Sequence, residues 1–367
     1  MAFTTDAVMI TGNVTWLYAF DVAHDMHRKP IKTVLGRPVE PWLQAADHRV
    51  PRQSFFHRPQ IIRLPPLEGV LPGGGSGNLE RTLKILPVGA LSLAITAPVC
   101  VRSLRDLVAW HEPPALASVS AVRNLAQMVV QDLREHLIQP VSLPEEAEAY
   151  TVFRLDPPAN QDAAVWLEHN RREVAALLTQ ELDVNRLCDD EVTETNSRRL
   201  GYYKDDLLVV DWDAALLLDR PGPAVEILHV LELANLQLCE LEAYDRLLDA
   251  VMERSYADLG RGGLHNRSLL KKLGELQLDL SRLSDELTHA GKFLGDWHLA
   301  RVYEAASSRF HLGDWQRVVD DKLKTLDGLY QMLKHDRFNR WLLIMELVVI
   351  VILVLEAGLV IYPLLHR

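Results

Sequence analysis

Cysteine is scarce in this chain: Cys100, Cys188 and Cys239 are the three thiols among 367 residues, and no two form a Cys-x-x-Cys pair. An odd, widely spaced set of this kind excludes a disulfide framework and a thiolate zinc ribbon, and suits a reducing compartment. Positive charge is also in the minority. Thirty-nine Lys and Arg stand against fifty Asp and Glu, for a formal net charge of −11, so no nucleic-acid-binding surface is expected, because phosphate contact needs basic residues grouped on one face. The amino-terminal MAFTTDAVMITGNV has no basic stretch and carries Asp6. It is therefore expected to be neither a secretory signal nor a transit peptide. A Gly-x-Ser-x-Gly elbow and a His-Glu-x-x-His pair are both missing, which leaves no local signature for nucleophilic or zinc-hydrolase catalysis.

Long apolar runs are absent too, with one exception. Trp341 to Tyr362 reads WLLIMELVVIVILVLEAGLVIY, and fifteen of these residues are Leu, Ile or Val. At about 1.5 Å per residue such a helix matches the ~30 Å hydrocarbon core of a bilayer. The aliphatic residues contribute roughly −5 to −9 kcal/mol on an insertion scale, opposed by Glu346 and Glu356. The run is therefore expected to be a single transmembrane helix at 341–362, with Trp341, Tyr362, Arg337 and Arg340 as interfacial anchors and a short tail at 363–367. Basic residues ahead of it place the amino-terminal part on the cytoplasmic side and the C-terminus outside.

The body ahead of the run divides at Arg220, Pro221, Gly222 and Pro223. Before this linker (220–223), residues 1–219 alternate between strands and helices. Strands are expected at Val14–Val22 and Gln60–Leu64, within Arg81–Val99 as a pair joined at Pro87–Gly89, at Tyr150–Leu155, and at Asp206–Leu218. Helices are expected at Ser103–His111, Ala115–Leu137 and Asp162–Leu182. This pattern predicts an α+β cytoplasmic domain with helices on one face of a sheet. LPGGGSGN, at 71–78, lacks the Gly-Lys-Ser/Thr ending of a phosphate-binding loop and reads as a surface loop.

Residues 224–340 form a helical arm. Leucines and other apolar residues recur at spacings of 4 and 3 from Ile227 to Met252. They recur again through Leu269, Leu273, Leu276, Leu280, Leu283 and Leu287, after a break at Gly260–Gly263. Narrow seams of this kind predict long antiparallel, coiled-coil-like helices. Leu-Gly-Asp-Trp occurs at Leu294–Trp297 and at Leu312–Trp315. The second copy is read as the end of one helix and the cap of the next.

ILPVGALSLAI (85–95), the helices after it, and the stretch KLKTLDGLYQMLKHDRFNRWLLIMELVVIVILVLEAGLVIY resemble the required-for-meiotic-nuclear-division family. That resemblance implies a tail-anchored, membrane-bound oligomer without assigned catalysis, the mitochondrial members supporting organellar translation. The chain is expected to depart from those members in lacking a transit peptide.

The expected function is thus a non-enzymatic, membrane-anchored scaffold that homo-oligomerises and presents its cytoplasmic domain to a protein partner, with no cofactor. The alternative is a subunit of an oligomeric ion channel or transporter with CorA-like architecture. Glu346 and Glu356 share one helix seam, and the preferred reading has them as hydrogen-bonding glue between identical helices, with the channel reading making them line an ion path. His24 and His27 as metal ligands, and Asp211 with Asp213 as a cation site on one strand face, are weaker candidates.

Overall fold

The computed structural model describes residues 9–27, 29, 31–41, 59–158, 161–260 and 296–365, and places no side chains for 254–260, 329–330, 332–340 and 356–365. The chain divides into two compact units, Met1–Tyr244 with Arg282–Gln316, and Asp245–Ser281 with Arg317–Arg367.

The first unit is built on a nine-stranded sheet. Its strands are β1 (Ile10–Asp21), β5 (Glu40–Pro41), β6 (Gln60–Val70), β7 (Ser76–Leu86), β8 (Ala90–Val101), β10 (Glu148–Leu155), β11 (Arg199–Leu200), β12 (Leu207–Val210) and β13 (Ala214–Leu218), in the order β11-β12-β13-β10-β1-β8-β7-β6-β5. Neighbours run antiparallel except β10 and β13, which are parallel. Parallel neighbours need a long crossover, and here it holds α3 (Ala163–Leu178) and α4 (Asp189–Thr195). Two small ribbons, β2 (Ala23–Met26) with β9 (Leu137–Pro140) and β3 (Thr33–Val34) with β4 (Arg37–Pro38), complete the strands.

Alternation along the strands sorts the side chains to two faces. Val14, Trp16, Tyr18 and Phe20 of β1 join Leu91, Leu93 and Ile95 of β8 and Phe153 of β10 in a core shared with α1 (Arg105–Val108), α2 (Val119–Asp132) and α3. The aromatic residues are also tethered by their polar ends: Trp16 Nε1 donates to the Trp110 carbonyl at 2.9 Å, and the Tyr18 hydroxyl to that of Ala117 at 2.7 Å. On the other face, Ala19, Leu86 and Ala90 pack on Leu236 and Cys239 of α5 (Pro221–Gly260). Helices therefore cover both faces of the sheet, where the sequence reading had them on one.

The coiled-coil expectation is corrected at α5. Val230, Leu231, Leu233, Ala234, Leu236, Leu238, Cys239 and Leu241 are all buried, and so are Glu232, Asn235, Gln237 and Glu240. Burial that continues around the whole helix marks a core element, whereas a coiled coil buries a narrow stripe. The seam Leu269–Leu287 lies outside the described residues, as do Leu294 and Gly295 of the first Leu-Gly-Asp-Trp.

The last two helices are α6 (Trp297–Arg309), capped by the Asp296 carboxylate on the His298 N–H at 2.6 Å, and α7 (Leu312–Leu365). The expected transmembrane helix is a second correction. Among the described residues no helix is long and apolar enough to cross a membrane. The single-pass topology, with its cytoplasmic and outer sides, falls with it.

Pro87–Gly89 is the tight turn between β7 and β8. Gly89 has φ +91°, and a Cβ there would lie 2.0 Å from the Ala23 carbonyl oxygen. That close approach lets the Gly89 carbonyl accept from the N–H groups of both Val22 and Ala23 at 3.0 Å. Gly89→Ala is expected to lower the melting temperature by about 2 to 12 °C, from ~1–3 kcal/mol of strain at roughly 2–4 °C per kcal/mol. A thermal melt followed by circular dichroism checks this.

Candidate functional site

Charge is buried where α5 crosses the sheet. Lys84 of β7 and Ser92 of β8 are directly opposed across the strands, and both point at Glu232 of α5. The Ser92 hydroxyl donates to Glu232 Oε1 at 2.5 Å, the Lys84 ammonium pairs with Oε2, and His229 Nδ1 stands 3.8 Å from the same oxygen. Burial alone pushes the Glu232 carboxyl up, but Lys84 and His229 pull harder and hold it down at about 2. Burial and then the Lys84 charge hold the His229 ring below its ordinary 6.5. The cluster is a strut that fixes α5 on the sheet; its carboxylate is already engaged from three sides.

Stability should therefore depend on acid in a definite sense. A depressed carboxyl contributes its full stabilisation above the ordinary 4.5 and loses it as pH falls toward about 2, since the unfolded chain takes the proton first. His229, also depressed, costs stability in the same direction from about pH 6.5 downward. Thermal melts should fall in temperature with pH, and Glu232→Gln should start lower and decline less steeply below pH 4.5.

A second buried pair secures the far end of α6. Arg309 Nε lies 2.8 Å from Asp211 Oδ1, without its N–H aimed at that oxygen, while Nη1 donates to Glu194 Oε1 at 2.7 Å. The Asp211 carboxyl is raised by burial, partly offset by Arg309. Asp211 and Asp213 do not share a strand face: they occupy the turn between β12 and β13, with Asp211 buried and Asp213 exposed. The cation that Asp211 takes is a guanidinium of this same chain.

A cleft of about 500 Å³ opens at the end of the sheet beside these elements. Its walls come from the β11–β12 loop (Tyr202, Tyr203, Asp206), the approach to α5 (Asp219, Arg220, Glu226) and the start of α6 (His298). Asp206 accepts the N–H groups of Tyr202 and Tyr203 at 2.6 and 3.0 Å, and the Arg220 guanidinium bonds Asp205 at 3.0 Å. A neighbouring hollow of about 430 Å³ shares Asp205 and Arg220.

The other sequence candidates are dispersed. His24 lies in β2 and His27 just beyond it, three residues apart, so a strand turns them to opposite faces. Among the described residues no group of three His, Cys, Asp or Glu is placed to hold a metal. The LPGGGSGN segment links β6 to β7, with Leu71 N–H donating to the Gly75 carbonyl at 2.6 Å. The Cys239 thiol is pushed up by burial, which leaves it a core side chain rather than a nucleophile. Glu346 and Trp341 lie exposed on α7. The side chains of Glu356, Tyr362, Arg337 and Arg340 are outside those described.

In the second unit, Lys322 Nζ bridges Asp245 and Asp249, each at 2.6 Å. Along α7, every side chain from Trp341 to Leu355 is exposed.

Comparison with known proteins bears on the first unit. The family described as "Uncharacterized protein MJ0711, N-terminal domain" matches residues 11–224, from β1 to the first turn of α5. The uncharacterized protein MJ0711 of Methanocaldococcus jannaschii is 23% identical over 215 residues, which cover 57% of this chain and 64% of that protein. The chain thus spans less than two thirds of that relative. No solved structure matches. The expected kinship with the required-for-meiotic-nuclear-division family is corrected accordingly: its most specific part was the helical tail, whereas the family match covers residues 11–224. The chain belongs to the family of the MJ0711 N-terminal domain.

Proposed function

We propose that this protein is a non-enzymatic scaffold that joins copies of itself through α7 and presents its sheet unit to a protein partner. The observation that carries the reading is the exposed wall of Trp341–Leu355, in which fourteen of fifteen consecutive side chains are large and apolar, interrupted by Glu346. Water-exposed apolar surface of that extent marks an interaction site. A helix about 10 Å across and ~22 Å long has a lateral area of roughly 700 Å², close to the ~800 Å² that each partner commits to a standard interface. A second copy, which brings an identical wall, supplies the matching apolar surface.

The non-enzymatic part of the reading draws on the ionisable groups inside the sheet unit. Glu232 with Lys84, and Asp211 with Arg309, act as packing struts. The channel alternative required a membrane-crossing helix and is not carried forward.

Light scattering on the purified full chain tests the proposal. The expected mass is a discrete multiple of 41.5 kDa. A single-chain mass at every concentration, or copies that associate only by floating with lipid vesicles, would overturn it.

A further inference from the structure

Glu346 is the one charged side chain in the exposed wall Trp341–Leu355. Leu342, Leu343, Val349 and Ile350 stand one turn away on its side of α7, between 52% and 64% exposed. Among the described residues its carboxylate has no hydrogen bond or ion pair. Arg340 and Arg337 precede it by six and nine positions on the same helix. At 3.6 residues per turn those positions lie about 120° and about 180° round the axis, so neither shares its side.

In a separated chain water solvates this carboxylate, and its place in the wall costs nothing. A second copy changes that, because the wall is apolar around its whole circumference. A seam on the far side, at Val348 and Val351, would keep Glu346 wet. It would also keep Leu342, Leu343, Val349 and Ile350 wet, and exposed apolar surface of that kind is what drives association. Copies that cover those four side chains cover the carboxylate among them. What they bring against it is the same apolar wall and a Glu346 of their own. An ionised carboxylate is costly in such surroundings and repels its counterparts, whereas a protonated one is neutral and donates a hydrogen bond.

We propose that Glu346 makes self-association proton-linked: copies of this chain assemble through α7 more tightly as pH falls, each taking up a proton on that carboxylate. The inference rests on the self-association proposed above and adds its regulation. Its sign follows from linkage. Assembled copies, with the carboxyl out of water, hold more protons than separated ones, so acid shifts the equilibrium toward assembly.

Sedimentation velocity of the full-length protein at about pH 7.5 and about pH 5.5 tests it, with Glu346→Gln as the variant that is neutral at both. The parent's dissociation constant should fall by about tenfold or more on acidification. Glu346→Gln should assemble about tenfold or more tightly than the parent at the higher pH and lose most of the gain at the lower. The variant also separates this linkage from a general loss of net charge near the isoelectric point of about 5.7, which would act on both proteins alike. Circular dichroism at each pH shows that both are folded. Parent copies that assemble equally at the two pH values, or a variant whose gain matches the parent's, would overturn the linkage and leave self-association standing. A single-chain mass for both proteins at both pH values would remove self-association and the linkage together.

Discussion

Replacing Leu347, Ile350 and Val354 together by Asp is expected to raise the dissociation constant for self-association by at least about a thousandfold. The three positions fall on one face of α7, three and four residues apart, and are 64%, 55% and 66% exposed. Burying each side chain against a second copy contributes about 1.5–3 kcal/mol, and each 1.4 kcal/mol is a factor of ten. Met345, Val349 and Ile352 occupy the opposite face, so the same substitution there reports on geometry. Dissociation by either triple indicates a bundle that uses the whole wall; dissociation by only one indicates a two-helix seam. If sedimentation velocity shows the parent assembly intact in both variants, association does not run through this stretch.

The second large effect concerns the buried strut. Lys84→Met should destabilise the sheet unit by about 3–5 kcal/mol, because it leaves the Glu232 carboxylate in the interior without its ammonium partner. At roughly 2–4 °C per kcal/mol the melting temperature should fall by about 10 °C. Lys84→Met combined with Glu232→Leu should recover most of that loss, since an apolar pair needs no desolvation of charge. A thermal double-mutant cycle measures the coupling. A Lys84→Met protein that melts with the parent would show that the pair contributes nothing net, and that α5 is held by its apolar contacts.

Much of the sheet was legible because its signals are local. VTWLYAFDV reads as a strand, and LPVGA as the turn between two, since Gly89 alone meets the backbone demand there. Period 2 also locates YTVFRL, whose Phe153 and Leu155 enter one core while Tyr150 meets Phe310, just past the end of α6, at 4.9 Å. The helix expected over Ala115–Leu137 overran because its apolar residues continue past the end of α2 at Asp132 into β9. Nothing in a run of Leu and Ile distinguishes the last turn of a helix from the first residues of a strand.

The parts that were not legible are those set by distant pairing. Lys84 in an apolar strand and Glu232 in an apolar helix are each an anomaly, but 148 residues separate them, and only the fold shows that one answers the other. Asp211 was assigned to a strand face because DLLVVDWDAALLL carries no glycine or proline to announce its turn. The cleft gathers three segments that share no spacing, at 202–206, 219–227 and 296–299. The apolar tail was legible as a segment that avoids water; among the described residues no helix is long and apolar enough to make it a span.

The sheet unit is discontinuous in the chain: it resumes at Arg282–Gln316 after the second unit has intervened. A ribosome that has released residues only through the family boundary at 224 has therefore delivered every described strand, but neither α5 beyond its first turn nor α6, whose Tyr303 hydroxyl bonds Gln237 of α5 at 2.6 Å. Nascent polypeptide halted there would leave one side of the sheet uncovered during synthesis, available to chaperones or to premature pairing between neighbouring chains. Expression boundaries chosen from sequence similarity alone would reproduce that unfinished intermediate.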